Sequence, residues 1–153
     1  MRTSYGGPRA GGSSGDRRGQ VVDLADIRVL IVDDNEDALE VFAAALEQSG
    51  ANVLKARTAR DALTILKAIR VDALISDLAM PGEDGLWLVQ QLRRLKSEQG
   101  GSIPAIAVTA HRDDYSVERA TVAGFEAFLT KPVDPFELCR AVAVLVGRSR
   151  GAM

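Results

Sequence analysis

Five short apolar segments alternate with longer segments of helical periodicity, and this alternation limits the possible fold more than any other feature of the chain. The apolar segments are RVLIV, NVLKA, DALIS, PAIAV and EAFLT, at residues 28–32, 52–56, 72–76, 104–108 and 126–130. Strands that alternate with helices form parallel sheets, and nearly continuous apolar strands fit a sheet that helices cover on both faces. The sequence therefore predicts an α/β fold with five parallel strands and five helices.

Apolar residues three and four positions apart predict the helices. This spacing occurs in residues 36–49, 59–69 and 85–96, and more weakly in 112–123. The last helix should begin at Pro135, with Asp134 as the N-cap. The residues predicted to face the core are Leu39, Phe42, Ala45, Leu46, Ala62, Leu63, Leu66, Ile69, Leu88, Val89, Leu92, Leu95, Val117, Ala120, Leu138, Val142, Leu145 and Val146.

The composition changes sharply near residue 26. Residues 1–25 begin with a segment rich in glycine, serine and arginine, which predicts a flexible tail or linker. Residues 26–148 are predicted to form one domain, and residues 149–153 a short C-terminal tail. Hydrophobic residues make up 46% of the 153 residues, which is enough for one core.

Charge and apolar segment length exclude several classes of protein. The formal net charge is −2, which does not indicate direct binding of nucleic acid. The apolar segments are too short to cross a membrane, and the first residues do not resemble a signal peptide. A single cysteine, Cys139, cannot form an internal disulfide. We expect a soluble cytoplasmic protein that binds neither nucleic acid nor membrane.

Polar residues follow the strands where each strand ends. Asp33 and Asp34 follow the first strand, Asp77 the third, Thr109 the fourth and Lys131 the fifth. Parallel strands end at one edge of the sheet, and ligands bind there at the point where the strand order reverses. For the strand order 2-1-3-4-5, that point lies between the first and third strands. We therefore expect three carboxylates, a hydroxyl and an ammonium group to converge.

This set of side chains suits a cation and an anion together. Carboxylates that lie close together require a counter-charge, and oxygen ligands without histidine or cysteine favour Mg²⁺. Lys131 and Thr109 suit a phosphoryl group near Asp77. An aspartate carboxylate can also attack phosphorus to give an acyl phosphate.

Four segments of the chain resemble the receiver domain of two-component response regulators, the CheY-like superfamily. They are DDNED at 33–37, DLAMPGEDG at 77–85, VTA at 108–110 and FLTKP at 128–132. The resemblance covers residues 26–148 and implies a flavodoxin-like (βα)5 doubly wound sheet with strand order 2-1-3-4-5.

The resemblance implies a role for each site residue. Asp77 corresponds to the phosphoacceptor. Asp34 corresponds to the acid that binds Mg²⁺ directly, Asp33 to the acid that acts through metal-bound water, and the backbone carbonyl of Ala79 to a further metal ligand. Lys131 corresponds to the invariant lysine of the family, whose bond to the following proline is typically cis.

The resemblance also implies how the signal is passed on. Thr109 and Phe128 correspond to the switch residues, which act on a surface formed by the fourth helix, the fifth strand and the fifth helix. The donor would be a histidine kinase or a histidine phosphotransfer protein, and the chain would be a stand-alone regulator or a piece of a hybrid kinase. The family is not enzymatic beyond its own phosphorylation and dephosphorylation. Oligomeric state is left open.

Other interpretations of the same residues remain. Asp33 and Asp34 alone would be helix-capping acids. An aspartate-nucleophile phosphatase carries an acid two residues after its nucleophile, but Asp77 is followed by Leu78 and Ala79. A flavin or nucleotide binder would carry a glycine-rich loop after the first strand, where this chain has acids. A scaffold that only binds partners is a further alternative.

Overall fold

The computed structural model describes residues 22–110 and 115–151, and predictions for residues 1–21, 111–114 and 152–153 lie outside the described residues. Five parallel strands form one sheet in the order β2-β1-β3-β4-β5, which confirms the predicted topology. The strands are β1 (Arg28–Val32), β2 (Asn52–Ala56), β3 (Ala73–Asp77), β4 (Ala105–Thr109) and β5 (Ala127–Thr130).

Five α-helices connect and cover the strands. They are α1 (Glu36–Gln48), α2 (Ala59–Ala68), α3 (Gly85–Arg94), α4 (Val117–Ala123) and α5 (Pro135–Gly151), with a short 3₁₀ turn at Ser97–Gln99. Core residues of α1 and α5 pack on one face of the sheet, and those of α2, α3 and α4 pack on the other. Within the described residues, none of the helices has the length and hydrophobicity that a membrane crossing requires.

Strands β3 and β4 lie one residue later than the apolar pattern predicts, and β5 begins one residue later but ends at Thr130 as predicted. Asp77 pairs with Val108 in the β3–β4 ladder, and Thr109 pairs with Thr130 in the β4–β5 ladder. Backbone hydrogen bonds between strands determine where each strand ends. The apolar pattern stops one residue too early because the last residue of β3 and of β4 is polar. The side chains of Asp77 and Thr109 are therefore held by the sheet, and not by a loop.

Some residues predicted to face the core are exposed. Val117 is 47% exposed and Ile69 is 38% exposed, because Val117 is the first residue of α4 and Ile69 caps the end of α2. In α1, Ala43 is buried in addition to the predicted residues, and Ala45 is partly buried and packs against the same core. Helix α4 is left with Ala120 as its buried residue.

The packed domain extends beyond the predicted limits of 26 and 148 at both ends. Leu24 is fully buried, and its backbone N–H donates to the carbonyl of Ser49 at 2.7 Å. Val22 packs against the same core. At the other end, α5 continues to Gly151. The flexible tail predicted over residues 1–25 stays a prediction for residues 1–21.

Candidate functional site

The carboxyl ends of β1, β3 and β5 bring charged side chains of opposite sign together. Lys131 Nζ lies 3.0 Å from Asp33 Oδ2 and 3.4 Å from Asp77 Oδ2. One carboxylate oxygen from each of Asp33, Asp34 and Asp77 lies within 4.8 Å of the others. The structure thus brings together four of the residues singled out in the sequence.

Local hydrogen bonds explain why two of the acids after β1 are available to this site. The N-cap of α1 is Asn35, whose side chain accepts the N–H of Ala38 at 2.9 Å. Neither Asp33 nor Asp34 caps this helix. Asp33 Oδ1 accepts the N–H of Asn35 at 2.9 Å. Glu36 lies in the first turn of α1, where an acid favours the helix dipole. Helix capping therefore does not account for Asp33 and Asp34.

Burial sets the electrostatics of the site. Asp33 and Asp77 are 3% and 8% exposed, whereas Asp34 is exposed. Burial raises the pKa of Asp77, the charge of Lys131 partly opposes this rise, and the charge of Asp33 adds to it. Burial alone would lower the pKa of Lys131, but hydrogen bonds to Asp33 and the charges of both buried carboxylates outweigh it, so the pKa is raised. The lysine therefore stays an ammonium ion at neutral pH.

The raised pKa of Asp77 predicts how stability depends on pH without metal. The folded state holds the Asp77 proton more tightly than the unfolded state, so stability is full below the unfolded pKa and falls as pH rises through the folded pKa. Asp77→Asn should therefore raise the melting temperature in EDTA at pH 7, and this gain should shrink as the pH is lowered. Thermal scans from pH 4 to 8 test this, and a melting temperature below that of the wild type at pH 7 would contradict it.

The backbone around Asp77 is tightly packed against the start of α3. Ser76 Oγ donates to the Asp77 carbonyl at 2.8 Å, and Gly85 N–H donates to the Leu78 carbonyl at 2.9 Å. A Cβ atom on Gly85 would overlap the Asp77 carbonyl oxygen. Glycine at position 85 therefore permits the β3–α3 loop to fold back over the end of β3.

Gly85→Ala should displace this loop and weaken the site. The added methyl group meets backbone atoms of Asp77 and Leu78, which cannot rotate away, so overpacking should cost about 1–3 kcal/mol. Urea denaturation checks the cost. Gly147→Ala is the control, because an added Cβ there has nothing within 4 Å. Equal stability of the two variants would contradict the close packing at Gly85.

The other predicted site residues lie on β4, on β5 and in the β3–α3 loop. Thr109 is fully buried, and its carbonyl accepts the N–H of Lys131 at 2.8 Å. Phe128 is half-buried and packs against the core shared with α2, α3 and α4. Ala79 is half-buried in the β3–α3 loop. The Lys131–Pro132 peptide bond is cis, as the resemblance implies.

The donor set of the site fits a hard divalent cation. Its three clustered side chains offer oxygen ligands alone, which Mg²⁺ prefers. Three carboxylates and one ammonium group leave a formal charge of −2. A divalent cation of this kind would balance that charge and relieve the repulsion between the carboxylates.

Three other polar residues hold the loops around α3 and α4 in ways that the sequence predictions missed. Asp84 is the N-cap of α3 and accepts the N–H of Trp87 at 2.8 Å; an aspartate directly before a helical pattern could have indicated this. Tyr115 donates its hydroxyl to Asp84 at 3.2 Å. Arg93 joins the loop before β4 to the loop between α4 and β5, and an arginine near the end of a helix gives no sequence signal for such a role.

Comparison with known proteins agrees with the fold. The family model "response regulator receiver domain" matches residues 29–143. The chain therefore belongs to the response regulator receiver domain family. It is a receiver domain of the kind found in response regulator and phosphorelay proteins, and this family is a signalling switch.

Individual relatives differ in length. The chain is 41% identical over 119 residues to an uncharacterised 14.6 kDa protein of Leptolyngbya boryana, covering 78% of this chain and 89% of that protein. It is 33% identical over 121 residues to the sensor histidine kinase GacS of Pseudomonas protegens, covering 78% of this chain but only 13% of the kinase.

One solved structure of similar fold carries a metal ion. It is the receiver domain of a sensor histidine kinase from Pseudomonas aeruginosa PAO1, described with a magnesium ion coordinated in the active site cleft. The TM-score is 0.73 and the identity 29%, over 80% of this chain and 99% of that domain.

Proposed function

We propose that Asp77 accepts a phosphoryl group from a phosphohistidine on a histidine kinase or a histidine phosphotransfer protein. The observation that carries this proposal is the position of Asp77 on the central strand β3, buried and 3.4 Å from the Lys131 ammonium group. An Asp77 carboxylate oxygen attacks the phosphorus while the bond from phosphorus to the imidazole nitrogen breaks. The imidazole keeps the electron pair and takes up a proton, and an aspartyl phosphate forms.

Lys131 supplies fixed positive charge during this transfer. Its ammonium group already lies between two buried carboxylates, so it is oriented before the donor arrives. Phosphoryl transfer depends chiefly on positioning and on charge stabilisation. The Thr109 hydroxyl, at the end of the neighbouring strand β4, is the second group proposed to contact the phosphoryl oxygens.

Mg²⁺ is the proposed cofactor, held by Asp34, Asp77 and the backbone carbonyl of Ala79. When bound, it neutralises charge on the phosphoryl oxygens. Asp33 accepts hydrogen bonds from Lys131 and from Asn35 N–H, which favours contact with the metal through water. Asp34 is exposed on the rim of the site, which favours direct contact.

Binding of Mg²⁺ should therefore stabilise the fold, and Asp34 should be needed for this effect. A ligand at one hundred times its dissociation constant stabilises a protein by about 2.7 kcal/mol. We expect thermal scans to show a rise in melting temperature with added Mg²⁺, and the rise to disappear in Asp34→Asn. Asp37→Asn, which removes a nearby exposed acid of α1, is the control. A rise in Asp34→Asn equal to that of the wild type would contradict the assignment of Asp34.

Phosphorylation is proposed to act on the surface of α4, β5 and α5 through Thr109 and Phe128. Phe128 packs against the same core cluster as Tyr115, which precedes α4, and Ala123, which is the last residue of α4. A change at Phe128 can therefore reach both ends of that helix. The test is the amide spectrum with beryllofluoride and Mg²⁺, which should change over residues 115–131; an unchanged spectrum would contradict this step.

Acetyl phosphate with Mg²⁺ tests the proposed function as a whole. Intact mass should rise by one phosphoryl group, and EDTA should prevent the rise. A domain that only binds partners, which is the scaffold alternative, would show no gain in mass under either condition.

A further inference from the structure

Ser76 carries a buried hydroxyl group directly before the proposed phosphoacceptor on β3. The residue is fully buried, and its Oγ donates to the Asp77 backbone carbonyl at 2.8 Å. We propose that Ser76 is a positioning residue: it orients the peptide unit that follows Asp77 and, through it, the oxygen atoms that would hold Mg²⁺. This role rests on the proposed function, because it concerns the same metal and phosphoryl site.

The Ser76 hydroxyl lies on an apolar side of the sheet. Leu74 and Leu78, two positions before and after it, both pack in the core formed with α2, α3 and α4, and side chains two positions apart along a strand point to the same face. A buried hydroxyl without a hydrogen-bond partner costs free energy. Because water does not reach this position, the hydroxyl is held in its contact with the Asp77 carbonyl.

The backbone of Ser76 is the last point at which both neighbouring strands hold β3. Ser76 pairs with Val32 of β1 and with Ala107 of β4. The β1–β3 ladder ends there, whereas the β3–β4 ladder continues to the pair of Asp77 and Val108. The Ser76 Oγ atom is therefore anchored to the sheet, and its hydrogen bond adds a second hold on the residue that follows.

The peptide unit between Asp77 and Leu78 connects this hydroxyl to the site. Its carbonyl oxygen accepts the Ser76 hydroxyl and lies so close to Gly85 that a Cβ atom there would overlap it. Burial raises the pKa of Asp77, and a hydrogen bond from the Leu78 N–H, at the other end of this unit, is among the contacts that oppose the rise. Rotation of the unit would therefore disturb the Asp77 carboxylate and the start of the loop that carries Ala79.

Titration with Mg²⁺, followed by amide signals at a temperature where every variant is folded, tests this role without a phosphodonor. In Ser76→Ala, the dissociation constant should rise about threefold or more, whereas Ser76→Thr keeps the hydroxyl and should stay below this limit. A loss of stability alone leaves the dissociation constant of the folded protein unchanged. A rise below the limit in Ser76→Ala, or an equal rise in Ser76→Thr, would overturn the proposal.

Thr64→Val is the matched control for the titration. It removes a hydroxyl that donates to the Arg60 carbonyl at 3.1 Å on the exposed side of α2, and its dissociation constant should stay below the same limit. A rise equal to that of Ser76→Ala would overturn the proposal, because any lost hydroxyl would then have the same effect. If Ser76→Ala does not fold, Ser76→Cys, whose thiol is a weak donor, replaces it with the same limit.

Carbonyl carbon signals of the metal-free protein test the orientation of the peptide unit separately. The Asp77 carbonyl carbon should move upfield in Ser76→Ala, the direction expected when a carbonyl group loses a hydrogen bond. An unchanged signal would overturn the role of Ser76. A wild-type protein that binds no Mg²⁺ and gains no phosphoryl group would refute the proposed function, while the Asp77 signal would still decide whether Ser76 holds the peptide unit.

Discussion

Lys131→Met should slow phosphoryl incorporation from acetyl phosphate by about 100-fold or more, the scale seen when a fixed group that stabilises transition-state charge is removed. The ammonium group lies 3.4 Å from Asp77 Oδ2 and is held there by Asp33 at 3.0 Å. Its charge is thus already in place where negative charge collects during transfer. Methionine keeps much of the length of the side chain and removes that charge.

The same substitution should lower stability when metal is absent. It leaves two carboxylates, 3% and 8% exposed, without their cation, and an unpaired buried charge typically costs about 3–5 kcal/mol. Added Mg²⁺ should restore part of this loss because it supplies positive charge to the same group. Initial rates of phosphoryl incorporation, followed by intact mass, measure the first effect. Unfolding in urea with and without Mg²⁺ measures the loss of stability.

Lys96→Met is the control for these measurements. Lys96 is exposed between α3 and the following 3₁₀ turn, away from the carboxylates. Both the rate and the stability of this variant should match those of the wild type. If Lys131→Met reacted as fast as Lys96→Met, Lys131 would have no role in the transfer.

Asp77→Asn should abolish phosphoryl incorporation, because a neutral amide is a poor nucleophile and cannot give an acyl phosphate. The fold should survive, since the buried position already disfavours the charged carboxylate and raises its pKa. Asp37→Asn, an exposed acid in the first turn of α1, should gain one phosphoryl group as the wild type does. A full mass gain in Asp77→Asn would show that another residue accepts the phosphoryl group.

Apolar periodicity was sufficient to predict five parallel strands that alternate with helices, whereas the strand order was implied by the resemblance to receiver domains. Asp33 and Lys131 are 98 positions apart, yet both follow strands of one parallel sheet, so their proximity follows from topology. Strand ends were harder to predict, because Asp77 and Thr109 are polar residues inside strands. Their pairing depends on backbone hydrogen bonds to neighbouring strands, which a local hydrophobic pattern does not contain.

The contacts that hold the loops could not be predicted from the sequence. Arg93 donates to carbonyl groups of Gly101, Ile103 and Gly124, and every residue except proline carries the same backbone acceptor and donor. The residue types of these three partners therefore do not indicate that their carbonyl groups bind Arg93. Val117 was predicted to face the core because it is apolar, but its position in the first turn of a short helix leaves it exposed.

Chemical mapping of the phosphorylated residue tests the central claim most directly. The wild-type protein is treated with acetyl phosphate and Mg²⁺, reduced with borohydride, which converts an aspartyl phosphate to homoserine, and digested for peptide mass spectrometry. The expected result is homoserine at position 77, which disappears when EDTA is present during phosphorylation. Homoserine at position 33 or 34, or phosphate on a serine or threonine with residue 77 unchanged, would contradict the assignment of Asp77 as the phosphoacceptor.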